Sequence, residues 1–138
     1  MIAFANKPAL QTLVLAMALC SGAAFAADFS VARYGARGDG STMNTAAIQK
    51  TIDAAAKKGG TVVFPAGTYL TGSIFVKSGV TLKVDKGVTL LGSQDIKDYP
   101  VLPTRIAGIE MTWPAALVNV YRQEKAAIAY AKREAEKQ

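Results

Sequence analysis

Polar and apolar residues alternate with a period of two in the middle of the chain. In residues 81–84, Thr-Leu-Lys-Val, every second side chain is apolar, which is typical of a β-strand with one buried face. β-branched residues are frequent around this segment, and glycines separate the apolar runs. Residues 65–67, Pro-Ala-Gly, suit a type I turn, because proline fixes φ at the second position and glycine stands last. The pattern predicts short strands joined by tight turns.

Two segments of this region repeat each other. Residues 61–73 can be laid over residues 81–93 at an offset of 20, with identities at Thr61/Thr81, Gly67/Gly87, Leu70/Leu90, Gly72/Gly92 and Ser73/Ser93. Self-similarity at this period indicates a solenoid, in which each coil buries its apolar face by stacking on its neighbours. Leucine-rich repeats have a similar period, but their Leu and Asn ladder is missing here. The sequence therefore predicts an all-β fold, a parallel β-helix with coils of about 20 residues.

One helix is expected before the coils. Ile48, Ile52 and Ala55 fall on one face at spacings of four and three. Asn44 is placed to cap the start of this helix, and the Gly59-Gly60 pair is suited to end it. A solenoid has an apolar end with unpaired strand edges, which a covering element must protect. We predict that this helix covers the N-terminal end of the coils.

The first 26 residues have the three-part layout of an export signal. Lys7 provides a positive start, residues 9–20 are mostly apolar, and Ala24 and Ala26 are the small residues that a signal peptidase recognises. Since a membrane-spanning helix needs about 20 apolar residues, no stable insertion is expected after cleavage. A lipoprotein signal ending at Cys20 is the alternative, disfavoured by the bulky Leu19 before it. We predict cleavage after Ala26 and a periplasmic or extracellular product.

Composition excludes several kinds of chemistry. The chain has 138 residues, of which 51% are hydrophobic and 19% charged, so it is not a disordered chain. It contains no histidine and one cysteine, which excludes an imidazole base, a disulfide framework and a Cys-rich zinc site. The net charge of +6 comes without a basic block interleaved with aromatics, so nucleic-acid binding is not expected. Neither a metal nor a cofactor is expected, because the aspartates are too scattered for a calcium site: Asp28, Asp39, Asp53, Asp85, Asp95 and Asp98.

Several polar residues have both a structural and a functional interpretation. Asp39 and Asp85 stand beside glycines and are most simply turn residues. Asp39 also ends the tripeptide Arg37-Gly38-Asp39, which is known from cell adhesion, although short motifs often match by chance. Lys83 could meet an acidic sugar, but a solvated lysine is the simpler expectation. We interpret all of these residues as structural.

The repeat fades after Ser93 into a predicted loop that is rich in Xaa-Pro pairs. Tyr99 and Trp113 each precede a proline in this loop. Their rings could form a wall on which sugar rings stack, or they could pack the loop onto the coils. A strand-like stretch returns at residues 116–121.

Longer motifs give the chain a family resemblance over residues 29–123. The first motifs are typical of many β-helix enzymes, and the later ones of pectin hydrolases; they are Tyr34-Gly35-Ala36-Arg37-Gly38-Asp39-Gly40, Asn44-Thr45-Ala46-Ala47-Ile48-Gln49, Gly59-Gly60-Thr61-Val62-Val63-Phe64-Pro65-Ala66-Gly67-Thr68-Tyr69, Leu70-Thr71-Gly72, Gly79-Val80-Thr81-Leu82, Gly87-Val88-Thr89-Leu90-Leu91-Gly92-Ser93 and Asp98-Tyr99-Pro100. With these motifs the sequence resembles the polygalacturonases, glycoside hydrolase family 28, within the pectate-lyase-like group. The resemblance implies a right-handed parallel β-helix as the fold. It also implies pectin as the substrate, either galacturonan or rhamnogalacturonan.

The resemblance also implies inverting hydrolysis by aspartates, one protonating the leaving oxygen and another activating water. The family motifs for this chemistry are Asn-Thr-Asp, Asp-Asp, Gly-His-Gly and Arg-Ile-Lys, and none of them occurs in this sequence. Asn44-Thr45-Ala46 lacks the acid, and residues 105–107, Arg-Ile-Ala, lack the lysine. We therefore assign no catalytic residue, and the substrate-binding residues are unknown.

The predicted organisation is a signal peptide at residues 1–26, a cap with the first coils at residues 27–121, and a charged tail at residues 122–138. Residues 124–138 are rich in Ala, Lys and Glu, which predicts a helix or a frayed tail. A premature stop, a frameshift or a truncated gene would give such an ending, and an open strand edge would favour aggregation. The hypotheses are the N-terminal part of a pectin hydrolase that is inactive alone, a non-catalytic polysaccharide-binding module, and a fragment of a calcium-dependent polysaccharide lyase.

Overall fold

The fold is built mainly of short strands. A computed structural model describes residues 27–120 and 123–130. The helix is α1 (Thr45–Ala56), and short 3-10 turns lie at Val31–Tyr34 and Ile96–Asp98. The strands are β1 (Ala27–Ser30), β2 (Asp39–Met43), β3 (Gly60–Val63), β4 (Gly67–Thr71), β5 (Ile74–Phe75), β6 (Val80–Val84), β7 (Val88–Gly92), β8 (Val101–Ile106), β9 (Ile109–Pro114), β10 (Val118–Asn119) and β11 (Ala127–Tyr130).

The strands form three parallel sheets and one antiparallel hairpin. The parallel sheets have the strand orders β1-β3-β6-β11, β2-β4-β7 and β5-β10, and the hairpin is β8-β9. Consecutive strands of the parallel part lie in different sheets, so the chain passes from sheet to sheet before it returns beside an earlier strand. The prediction of a mainly β fold with one helix is confirmed.

The internal repeat corresponds to strand pairing, with a shift of one residue at the corner. In the β3–β6 pair Thr61 lies opposite Thr81, which is the offset of 20 in the sequence. In the β4–β7 pair Gly67 lies opposite Val88, at an offset of 21. Counted between paired residues, the first corner holds three residues, 64–66, and the second holds four, 84–87. As a register of strand pairing, the alignment of Gly67 with Gly87 was therefore wrong by one position.

The helix packs its apolar face onto the sheets, as its spacing predicted. Ile48, Ile52 and Ala55 are fully buried, and α1 contacts β1, β3, β5 and β6. The core continues under the strands, where Val62 and Leu82 are paired neighbours with no exposed surface. Burial of such side chains contributes roughly 1.5–3 kcal/mol each. Packing of α1 on the core thus fixes the orientation of its polar side chains.

The segment predicted as a loop after Ser93 contains the β8-β9 hairpin instead. The two turn residues, Ala107 and Gly108, have φ of 50° and 85°, as a two-residue hairpin turn with both residues in the left-handed region requires. Pro103 and Pro114 lie within the strands, where proline normally argues against strand structure. In the part of the chain that the structure describes, no other strand pairs with this hairpin, so no third strand needs the missing N–H groups.

The helix predicted for residues 124–138 was wrong in its described part. Ala127–Tyr130 is a strand parallel to β6, with Ile128 opposite Leu82. Pairing with an available edge outweighs the helix propensity of Ala and Lys, which is only a few tenths of a kcal/mol per residue. The strand-like stretch at residues 116–121 is shorter than predicted and comprises Val118 and Asn119 in its described part.

Two predictions fall outside the described residues. The export signal at residues 1–26 is one of them, and the division of the chain between residues 121 and 122 is the other. Within residues 27–120 and 123–130, no helix is long and apolar enough to cross a bilayer.

Candidate functional site

Asn44 connects the start of α1 to the preceding loop. It is almost completely buried, with 1% exposure. Its Oδ1 accepts the backbone N–H of Arg37 at 2.7 Å, while its Nδ2 donates to the carbonyls of Arg37 at 2.9 Å and Thr42 at 2.8 Å. The expected side-chain cap was wrong, because these contacts use the amide and none goes to the helix. Asn44 therefore anchors the segment of residues 37–44, which includes β2.

The next two polar residues of the same motif connect α1 to the sheets. Thr45 Oγ1 accepts the backbone N–H of Gly72 at 2.7 Å. Gln49 accepts the N–H of Phe75 at 2.9 Å and donates to the carbonyl of Phe75 at 3.1 Å. The Gln49 amide thus satisfies both backbone groups of Phe75, as a neighbouring strand would. In the Asn-Thr-Ala-Ala-Ile-Gln motif, these three polar side chains have structural contacts.

The Asp98-Tyr99 motif folds back onto the end of β7. Asp98 accepts a short hydrogen bond from the Ser93 hydroxyl, and the carbonyl of Asp98 accepts the N–H of Ser73 at 3.1 Å. Tyr99 Oη donates to the carbonyl of Ser93 at 2.8 Å. A β-carbon on Gly72 would overlap the Asp98 carbonyl, so the close approach requires glycine. Of its two proposed roles, Tyr99 therefore has the packing role.

The Arg37-Gly38-Asp39 tripeptide also has structural contacts throughout. The backbone of Arg37 is held by Asn44, and the carbonyl of Gly38 accepts the N–H of Thr68 at 3.1 Å. Asp39 accepts the Thr42 hydroxyl at 2.6 Å, the Thr42 N–H at 2.8 Å and the Ser41 N–H at 3.0 Å. These hydrogen bonds, those from Thr42 first, hold the pKa of Asp39 well below its usual range. Asp39 thus has a structural role, as interpreted from the sequence, but it is the first residue of β2 and does not lie in a turn between strands.

Other carboxylates have local partners. Asp53 contacts Lys77 Nζ at 2.7 Å. Burial raises the pKa of Asp53, but the hydrogen bonds from Lys77 and Gln49 and the nearby lysine charges together lower it below its ordinary value. Asp85 pairs with Lys83 at 3.3 Å, so Lys83 has a partner on the protein. Asp95 accepts the N–H of Lys97 at 2.9 Å. Among the residues that the structure describes, no three acidic, His or Cys side chains cluster as a metal site would require.

A cavity of about 400 Å³ lies between the hairpin and the β5-β10 sheet. Its lining includes Phe75 of β5, Asn119 of β10, and Leu102, Thr104, Ile106 and Trp113 of the hairpin. The Trp113 side chain is 57% exposed. The sequence suggested Trp113 but missed its partners, because the hairpin itself was predicted as a loop. Within residues 27–120 and 123–130, none of the side chains that line the cavity ionises, so these residues can contact a bound molecule but offer it no acid or base.

The sequence model described as rhamnogalacturonase A/epimerase, pectate lyase-like, matches residues 29–111. The chain belongs to this family. The resemblance predicted from the motifs is thereby confirmed, and the match includes Asn44, Thr45, Gln49 and most of the hairpin.

Individual members of the wider group match over most of this chain but over a small part of their own length. An exo-poly-α-D-galacturonosidase from Dickeya chrysanthemi is 40% identical over 99 residues, which are 72% of this chain and 16% of that protein. The family 28 exopolygalacturonase from Yersinia enterocolitica has a TM-score of 0.69 at 34% identity, over 76% of this chain and 20% of that chain. A hyperthermoactive exopolygalacturonase from Thermotoga maritima has a TM-score of 0.70 at 34% identity, over 75% of this chain and 23% of that chain.

Proposed function

We propose that this chain is the N-terminal part of an exported polygalacturonase-type glycoside hydrolase that acts on pectin, and that it is inactive alone. The substrate is galacturonan or rhamnogalacturonan. Support comes from the exopolygalacturonases named above, of which the chain spans about a fifth in each case. The observation that carries the proposal is that the polar residues of the matched motif, Asn44, Thr45 and Gln49, all make structural hydrogen bonds.

The architecture proposed for this part is the beginning of a right-handed parallel β-helix. Strand pairing at offsets of 20 and 21 residues is what stacked coils of about that length would give. The position of α1 against β1, β3, β5 and β6 supports its role as the N-terminal cap. Later coils would pair with β7, which is an edge strand in the part of the chain that the structure describes.

The chemistry is expected to reside outside this chain. Inverting hydrolysis requires two carboxyl groups roughly 6.5–9.5 Å apart, with room for a water molecule between them and the sugar. Asp39, Asp53 and Asp98 each make hydrogen bonds within the fold. For Asp39 and Asp53 these contacts lower the pKa of the carboxyl group, which makes it a poor general acid. We therefore propose that the acid and the base lie in later coils.

Export is part of the same proposal. The layout of residues 1–26 supports cleavage after Ala26 and a periplasmic or extracellular location, where pectin is accessible.

A non-catalytic polysaccharide-binding role is the second candidate, because the cavity beside Trp113 can hold a ligand without offering catalytic groups. Products formed from polygalacturonate by the purified chain test whether the chain is inactive alone. We expect no new reducing ends and no unsaturated product absorbing in the near ultraviolet. Reducing ends would show a hydrolase active on its own, and a calcium-dependent unsaturated product would show a lyase. Heat-denatured chain is the control.

A further inference from the structure

The two faces of the hairpin differ in polarity. Cross-strand partners lie on the same face of a β-ribbon, and successive pairs alternate between faces. One face has the pairs Leu102–Trp113, Thr104–Met111 and Ile106–Ile109, and the other has Val101–Pro114, Pro103–Thr112 and Arg105–Glu110. The charged pair is therefore on the face opposite Trp113.

The apolar face forms one wall of the cavity. Leu102, Thr104, Ile106 and Trp113 of that face line it, and two prolines of the other face, Pro103 and Pro114, reach its edge. Phe75 contributes a second aromatic ring from β5. The cavity thus has aromatic and aliphatic walls, with the Thr104 hydroxyl among its few polar groups.

The Asn119 amide, which also lines the cavity, is engaged within the protein. Its Nδ2 donates to the carbonyl of Ala116 at 2.6 Å and to that of Ile74 at 3.3 Å, and its Oδ1 accepts the N–H of Ala116 at 3.0 Å. Among the lining residues that the structure describes, none is Lys or Arg. A carboxylate entering this cavity would lose its hydration without gaining a cation, which is unfavourable.

We infer that this cavity binds a methyl-esterified galacturonate unit of pectin, stacked on Trp113, in preference to a free galacturonate. The inference rests on the proposed function for its sugar. The face of a galacto-configured ring that carries the hydrogens of C3, C4 and C5 is apolar and matches an indole face. The ester methyl group removes the charge and adds apolar surface. A volume of about 400 Å³ lies within the range typical of small-ligand sites, roughly 300–1,000 Å³.

A second copy of this chain is the competing occupant. Ile109 is 67% exposed and Met111 is 40% exposed on the same face, so two hairpins could associate through it. The uncharged lining of the described residues and the concave volume of about 400 Å³ favour the esterified sugar, because a flat dimer contact needs no cavity.

The intrinsic fluorescence of Trp113 tests this inference, because Trp113 is the only tryptophan of the sequence. The purified chain is titrated with fully methyl-esterified oligogalacturonides and with the same oligomers after de-esterification. We expect a saturable change in emission with the esterified oligomers, and binding at least tenfold weaker with the free acids. Equal or tighter binding of the free acids would overturn the inference, and so would no response to either.

Variants separate stacking from a general effect on the fold. By calorimetry, Trp113→Ala should weaken binding of the esterified oligomers at least tenfold, while Trp113→Phe should retain most of it. Val101→Ala, on the opposite face, is the matched control and should bind normally. Because Trp113→Ala could fail to fold, circular dichroism is measured for each variant. If it does not fold, the titration of the unmodified chain still tests the inference.

Two further outcomes are distinguishable. Self-association by sedimentation, with an emission shift that depends on protein concentration and not on sugar, would assign the cavity to a second copy and overturn the inference. Release of reducing ends by the chain would contradict its proposed inactivity without affecting the cavity. Failure of esterified sugar to bind leaves the family placement and the proposed function intact.

Discussion

Replacing Asn44 with alanine tests whether the family motif at the start of α1 is structural. The substitution removes three hydrogen bonds at 2.7–2.9 Å and leaves the N–H and carbonyl of Arg37 and the carbonyl of Thr42 without these partners. Asn44 is 1% exposed, so water cannot take its place without rearrangement of the loop. The expected result is a less stable fold.

The size of the effect follows from the number of bonds. A net contribution of about 0.5–1.5 kcal/mol per hydrogen bond gives a loss of roughly 2–4 kcal/mol for three bonds. The backbone groups of Arg37 and Thr42 that lose their partner are only partly buried. We therefore expect a loss of stability in the lower half of that range. For a domain of this size, such a loss lowers the midpoint of thermal unfolding by on the order of 10 °C.

Urea unfolding followed by circular dichroism measures the change in the free energy of unfolding. Asn44→Asp should be no better than Asn44→Ala, because a carboxylate can accept from Arg37 but cannot donate to two carbonyls. Gln94→Ala removes an exposed amide and is the matched control, with an expected change within about 0.5 kcal/mol. If Asn44→Ala unfolds at the same urea concentration as the control, the structural interpretation of the motif is refuted.

Three further predictions concern the turns and a close approach. Ala107→Asn should stabilise the chain by about 0.5–1 kcal/mol in urea unfolding, because asparagine tolerates the left-handed φ of 50° better than alanine; a loss of stability would contradict the turn geometry. Gly72→Ala should cost more than about 2 kcal/mol, because its β-carbon would overlap the Asp98 carbonyl; a cost below 1 kcal/mol would contradict this contact. The lowered pKa of Asp39 means that its stabilisation is present above the ordinary carboxyl pKa and is lost as the pH falls towards the native value. Carbon-13 NMR should show Asp39 still ionised at a pH where an ordinary aspartate is protonated, and a normal titration would contradict the Thr42 contacts.

Local periodicity was sufficient to predict the part of the fold that is held by apolar burial. Ile48, Ile52 and Ala55 are buried where their spacing placed them, and Thr61 pairs with Thr81 as the repeat indicated. Both signals come from side chains that face the core, where a register error would expose a whole face. The shift by one residue at Gly67 was not visible, because an extra corner residue leaves the apolar pattern of each strand unchanged.

Features that depend on distant pairing could not be predicted. The strand at Ala127–Tyr130 exists through its contact with β6, and its own residues favour helix. The hairpin was hidden by its prolines and by an alanine in a turn position that usually has Asn or Gly. The cavity depends on both the hairpin and the short β5-β10 pair, so only Trp113 could be suggested from the sequence.

The coding DNA beyond Gln123, read in all three frames, tests the central claim most directly. The account predicts that one frame continues into Gly-rich strands and then into the Asn-Thr-Asp, Asp-Asp, Gly-His-Gly and Arg-Ile-Lys motifs that this chain lacks. An assay of the reconstructed full-length protein would then follow. If no frame resumes the strand pattern or contains those motifs, the chain is not the N-terminal part of a hydrolase, and the account is contradicted.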